Sequence, residues 1–280
     1  MSNVVIWGYK VPAKVLDDTE FEYLKGLPSV LPNLQWVCDE LNRVWDDIGL
    51  NNKCLDNSKL IQYYKHPVWI MNGIYSAVDS ESKRHRLAIA EYLAENSLHI
   101  TADYGGGFGE LALVISNNSS ASNVYVVEPF PSRLGVSRLQ GQPRIQIIGS
   151  LGIDVFDSVI AQDVLEHVED PIFLAYQIAN STIEGGKLIF ANCFYPLIKC
   201  HLPETFHLRF TFPFVLCGMG LKYCGTLPLV PHAHVFQVRN NLNLSRARKF
   251  ETLSKIVGPF LNLLGASYFS VKSFFAKMVN

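Results

Sequence analysis

The stretch from His99 to Leu113 constrains this chain most: an apolar run ending in Asp103 passes directly into Gly105, Gly106, Gly107 and Gly109, then into a helical pattern. It reads as strand, tight turn and helix. Glycines at such a turn permit positive φ and let a ligand approach main-chain N–H groups that a side chain would screen. Asp103, at the strand's last position, selects among ligands, because a carboxylate repels a pyrophosphate and attracts a cationic amino group. The spacing makes the same distinction. The position that should carry the last glycine of a dinucleotide-binding G-x-G-x-x-G is Glu110, so an NAD-dependent oxidoreductase is the weaker reading.

Beyond Asn96, short β-rich runs at Leu98–Asp103, Val124–Val127, Ile145–Ile148, Phe156–Ala161 and Lys187–Asn192 are separated by helix-length patterns. This alternation predicts an α/β fold with a parallel sheet and crossover helices. Two further candidate strands lie around Leu221–Tyr223 and His234–Val238. Residues before 97 read as a mostly helical arm, with Leu34, Val37, Leu41 and Val44 on one apolar face and Leu87, Ala90 and Leu93 on another. The aromatic segment Tyr63–Gly73 reads as part of this arm packed on the main domain, ahead of a lid over the ligand. The chain thus divides into an arm (1–96), a core (97–240) with an insertion at about 193–220, and a helical tail (241–280).

With 24 basic and 25 acidic residues the net charge is −1, so no global field favours nucleic acid. Six cysteines never form C-x-x-C and show no Cys/His spacing typical of zinc, so reduced thiols and no metal are expected. The N-terminal residues lack the order of a secretory signal, which predicts a soluble, cytoplasmic protein. In the tail, Arg246, Arg248 and Lys249 precede an apolar pattern. Docking on the domain or on a second copy, as a homodimer, is favoured there over a membrane surface.

Glu128 follows the second strand, roughly 20 residues beyond the glycines, where an acidic side chain can accept bonds from both ribose hydroxyls. Gln162 and Asp163 lie just past the C-terminal end of the fourth core strand, where ligands of open α/β sheets sit. Asp170 reads as a helix N-cap with Pro171 at the first helical position. Taken together, Asp103–Gly109, Glu128, the run Asp163-Val-Leu-Glu-His-Val168 and Glu184-Gly-Gly-Lys-Leu-Ile-Phe190 resemble the class I S-adenosylmethionine-dependent methyltransferases, specifically their small-molecule branch.

The resemblance covers about Leu98 to Asn192. It implies a Rossmann-like, doubly wound, seven-stranded sheet whose last strand runs antiparallel, and S-adenosyl-L-methionine as cofactor. By the same resemblance Asp103, Gly105, Gly106 and Gly107 hold the methionine part, Glu128 the ribose, and Gln162 and Asp163 the floor between cofactor and acceptor, with Pro129 also among the cofactor-binding residues. Many relatives carry an Asp after the third strand to bind adenine. Gly149-Ser150-Leu151 stands here, with Ser150 or a main-chain group as the substitute. Methyl transfer to a small organic acceptor is the activity implied, O-methylation slightly ahead of N or C, with His207 and then His167 as candidate bases. A non-catalytic binding or scaffold module of the same fold is the alternative.

Overall fold

The computed structural model describes residues 3–119, 122–129, 131–153 and 155–279, with side-chain environments up to residue 265. The chain opens with a hairpin, β1 (Asn3–Ile6) and β2 (Tyr9–Pro12), followed by α1 (Asp18–Lys25), α2 (Leu34–Ile48), α3 (Asn57–Lys65), α4 (Val68–Val78) and α5 (Ser80–Glu95). The core then runs β3 (Ile100–Tyr104), α6 (Glu110–Asn118), β4 (Asn123–Val127), α7 (Arg133–Leu139), β5 (Ile145–Ile148), β6 (Phe156–Gln162), α8 (Pro171–Asn180) and β7 (Thr182–Ala191). After a 3-10 turn at Pro203–Leu208 come α9 (Phe212–Met219), β8 (Lys222–Leu227), β9 (Val230–Gln237) and the long α10 (Leu244–Val279).

The seven-stranded sheet has the order β5-β4-β3-β6-β7-β9-β8. Strands β3 to β7 pair in parallel, and β9 is antiparallel to both its neighbours, β7 and β8. This is the doubly wound sheet with an antiparallel last strand. Its central strands read as nearly continuous apolar runs because both faces are covered. Val159, Ala161, Leu188 and Phe190 enter a core shared with α8, α9 and the start of α10, whereas Ile160, Ile189 and Ala191 enter the opposite core under α5 and α6. The alternation is the period of two expected of strands. Two polar contacts pin the register: the hydroxyls of Thr101 and Ser158 meet at 2.8 Å, and the Asp157 carboxylate accepts the N–H groups of His99 and Ile100.

The N-terminal arm is mostly helical, and its Val37, Leu41, Val44, Trp45, Tyr63, Met71 and Ile74 share a core with Phe108, Leu134 and Cys200 of the main domain. Two positions of the expected apolar faces are corrected: Leu34 and Leu87 are exposed, and Arg86 and Ile89 take the inward places on α5. Arg86 is held there because its guanidinium donates to the Ser76 carbonyl and hydroxyl. The hairpin at the start was not read from the sequence. Segment Tyr63–Gly73 is a packed part of the arm rather than a loose cover, since Tyr63 is fully buried between Trp45 and Trp69.

Asp170 caps α8 as expected, accepting the Phe173 N–H, and also pairs with Arg248 on α10. Helix α10 lies against α9 and the 3-10 turn. Leu253, Ile256, Phe260, Leu263 and Leu264 remain exposed on it. Among the described residues no helix is long and apolar enough to cross a membrane.

Candidate functional site

Strand order reverses at β3, whose neighbours β4 and β6 run out in opposite directions. The C-terminal ends of β3 and β6 are therefore the switch point of the sheet, the place where open α/β sheets bind ligands. Two loops meet there. The turn after β3 carries positive φ at Gly105 (72°), Gly107 (54°) and Gly109 (76°), and the loop after β6 holds Asp163 at φ 53°. A left-handed conformation at a non-glycine residue costs free energy and concentrates at functional sites. Contact between the loops is close: a Cβ on Gly105 would stand 2.6 Å from the Val164 side chain.

Asp103 closes the base of the glycine turn. It is 2% exposed and its Oδ2 has no partner among the described residues. Burial lifts its carboxyl to about 7, the Glu128 carboxylate adds to the rise, and Arg86 opposes it. An unpartnered buried carboxylate oxygen is a standing cost, relieved by any cationic donor that reaches it. Gly106 lies directly over it, because an added Cβ would sit 2.5 Å from Asp103 Oδ2 and 3.1 Å from Val126. The Gly106→Ala variant is accordingly expected to keep its fold but displace the Asp103 carboxylate, weakening nucleoside-ligand binding at least tenfold in calorimetry. Unchanged affinity would show that the turn does not bind.

Glu128 follows β4 at the next sheet position, its N–H bonded to the Ile148 carbonyl, and its charge acts on both Asp103 and Tyr104. Pro129 follows it and is exposed; Ser150 is exposed just past β5. The structure thus gathers Asp103, Gly105–Gly107, Glu128, Gln162 and Asp163 around the ends of β3, β4 and β6. Asp163 opens to solvent, yet desolvation by the surrounding protein lifts its carboxyl to about 6, against a bond from Gln162 and the charge of His85.

The histidines divide differently from expectation. His207 is buried beneath α10: its Nδ1 lies 2.7 Å from Ser254 Oγ and its Nε2 4.0 Å from Glu251. Burial lowers it to about 4. Its polar contacts are with the tail helix. His167 is desolvated to about 3, packs edge-on against Tyr64 and Trp69 of the arm, and meets His201 at 4.9 Å between ring centroids. The charge of Asp163 acts on His85 of α5, whose ring lies 5.2 Å from that of His232 on β9. Burial depresses both, and the charge of His232 adds to the shift at His85. No sequence signal flagged His85, which lies in the helical arm some 80 residues before Asp163.

No protein-family model matches the chain, and no curated protein does. Solved structures similar to it include a provisionally assigned S-adenosyl-L-methionine-dependent methyltransferase from Methanococcus maripaludis, at 16% identity over 57% of this chain and 88% of that one, TM-score 0.44. A provisionally assigned sarcosine dimethylglycine methyltransferase from Galdieria sulphuraria matches at 17% identity over 39% of this chain and 46% of that one, TM-score 0.35. Phosphoethanolamine N-methyltransferase 2 of Haemonchus contortus, solved with S-adenosyl-L-methionine, matches at 20% identity over 33% and 24%, TM-score 0.30. The chain spans less than half the length of the Galdieria and Haemonchus proteins it matches. At TM-scores below 0.5 these likenesses decide nothing about chemistry, which rests on the residues of the crevice.

Proposed function

We propose that this protein transfers the methyl group of S-adenosyl-L-methionine to a small organic acceptor. The observation that carries the reading is Asp103: a buried carboxylate with a bare oxygen, roofed by a glycine turn, one strand away from a second acid at Glu128. A ligand that is cationic at one end and carries ribose hydroxyls further along satisfies both acids. A dinucleotide would set its pyrophosphate against Asp103.

When bound, the cofactor supplies an electrophilic methyl group. Asp103 would pair with its ammonium, the main chain of Gly106 and Gly107 would face its carboxylate, and Glu128 would accept from its ribose. Ser150 or the adjacent main chain stands in for the usual adenine-binding Asp. Helix α4 packs against the glycine turn: Gly73 lies against Phe108 so closely that a Cβ would meet the ring at 2.5 Å. Displacement at a sulfonium disperses charge, so alignment and dryness contribute most of the acceleration. For a hydroxyl acceptor His85, whose imidazole feels the charge of Asp163, is the candidate to take the proton, with His232 beside it.

Parallel calorimetric titration with S-adenosylhomocysteine and with NAD is the direct test. Saturable binding of the first at micromolar concentration, with no heat from the second, is the expected result. Binding of NAD alone would overturn the reading.

A further inference from the structure

Apart from the cofactor crevice, one cluster of side chains has the chemistry of a metal centre. Glu166 and His167 lie in the short 3-10 turn Leu165–His167 after β6, and His201 lies in the insertion after β7. A carboxylate oxygen of Glu166 and one ring nitrogen from each histidine fall within 4.8 Å of one another. Three atoms so spaced share a point within about 2.8 Å of each, so shifts of roughly 0.7 Å bring them to the 2.0–2.2 Å of zinc–ligand bonds.

The hydrogen bonds around the cluster select the metal-binding form of each group. His167 Nδ1 lies 3.1 Å from the Cys200 carbonyl and His201 Nδ1 2.9 Å from the Tyr195 carbonyl. A carbonyl only accepts, so both Nδ1 atoms carry the proton and each Nε2 is the unprotonated nitrogen, the His201 ring also lying against the Cys193 carbonyl. This is the outer shell of metal-bound histidine, in which the non-ligating nitrogen donates to a backbone carbonyl and fixes the tautomer. Glu166 supplies the independent observation. The residue is fully buried, its Oε1 accepts the Cys193 N–H at 2.8 Å, and its Oε2 has no partner among the described residues. The main chain braces the cluster too, since the Leu202 N–H donates to the Glu166 carbonyl.

We infer that Glu166, His167 and His201 form a site for a divalent transition ion, zinc by ligand type. Two imidazoles and one carboxylate leave a further coordination position for water or a ligand oxygen, as catalytic rather than structural zinc sites do. The inference is independent of the methyl-donor reading. It invokes neither Asp103 nor Glu128.

The test uses the full chain, stripped with a chelator and titrated with Co2+ as the spectroscopic probe, followed by competition with Zn2+. Expected are visible d–d bands saturating at one equivalent, lost on adding Zn2+, and one equivalent of bound metal by elemental analysis after dialysis. Failure of the wild-type protein to take up either ion would overturn the proposal, whatever the variants do. His201→Gln and Glu166→Gln should each weaken the Co2+ affinity by at least tenfold, with S-adenosylhomocysteine binding retained as the sign of an intact crevice. One-equivalent binding with unchanged affinity and spectrum in both variants would place the ion elsewhere and equally overturn it.

Discussion

The Asp103→Asn variant is expected to bind S-adenosylhomocysteine roughly 10- to 150-fold more weakly than wild type, the size of a lost charge-assisted hydrogen bond of about 1.5–3 kcal/mol. The asparagine keeps the shape, so what is removed is charge. The wild-type protein should also show a pH dependence that the variant lacks. In the free protein the Asp103 carboxyl is lifted to about 7, chiefly by burial and further by Glu128. Pairing with a ligand ammonium pulls that value down, because the neighbouring cation favours the ionised form. Below pH 7 the proton must therefore leave before the pair can form. Affinity rises as pH increases from 5.5 to 7.5, approaching tenfold per unit on the acid side and levelling near 7. Calorimetry across that range measures it, and an equally steep profile in Asp103→Asn would assign the proton to another group.

The glycine turn and its acid were legible because the information is local: a strand, a bend that needs positive φ and a helix follow one another within fifteen residues. The strands of the sheet were legible for a related reason. Their apolar runs are buried on both faces and are bounded by turn residues, although several observed ends, such as the start of β7 at Thr182, fall residues away from the sequence boundary. The opening hairpin escaped notice because its strands are four residues each and its turn places Trp7 and Gly8 at φ 51° and 84°. Turns of that kind usually announce themselves by Asn-Gly or Asp-Gly. The roles of the histidines were illegible for a deeper reason. His167 meets His201 across 34 positions, His85 meets His232 across 147, and His207 meets Ser254 across 47. None of these separations is a helical or strand period. The expectation of no metal likewise rested on Cys and His spacing, and Glu166-His167 with His201 follows no such spacing.

The Gly258→Ala variant is expected to lose about 2–4 kcal/mol of stability, the range of severe overpacking, and to melt roughly 4–10 °C lower than wild type. Gly258 lies in α10, where the helix crosses the 3-10 turn at Pro203–Leu208. An added Cβ would stand 2.3 Å from the His207 carbonyl oxygen and 2.8 Å from its Cα. Those atoms are backbone and cannot rotate away, so the helix itself must lift. Lifting loosens the polar contacts around His207: its Nδ1 with Ser254 Oγ, the Thr211 hydroxyl against the same Ser254, and the Asn262 amide donating to the Phe206 carbonyl. Each is buried or half-buried, and each group left unpaired adds a desolvation cost to the steric one. Gly149→Ala is the control, because that position has a negative φ and no atom within 4 Å of the added carbon. Thermal unfolding followed by circular dichroism should separate the two variants clearly. If Gly258→Ala melts with wild type, α10 does not grip the insertion through this crossing, and the structural role assigned to His207 fails with it.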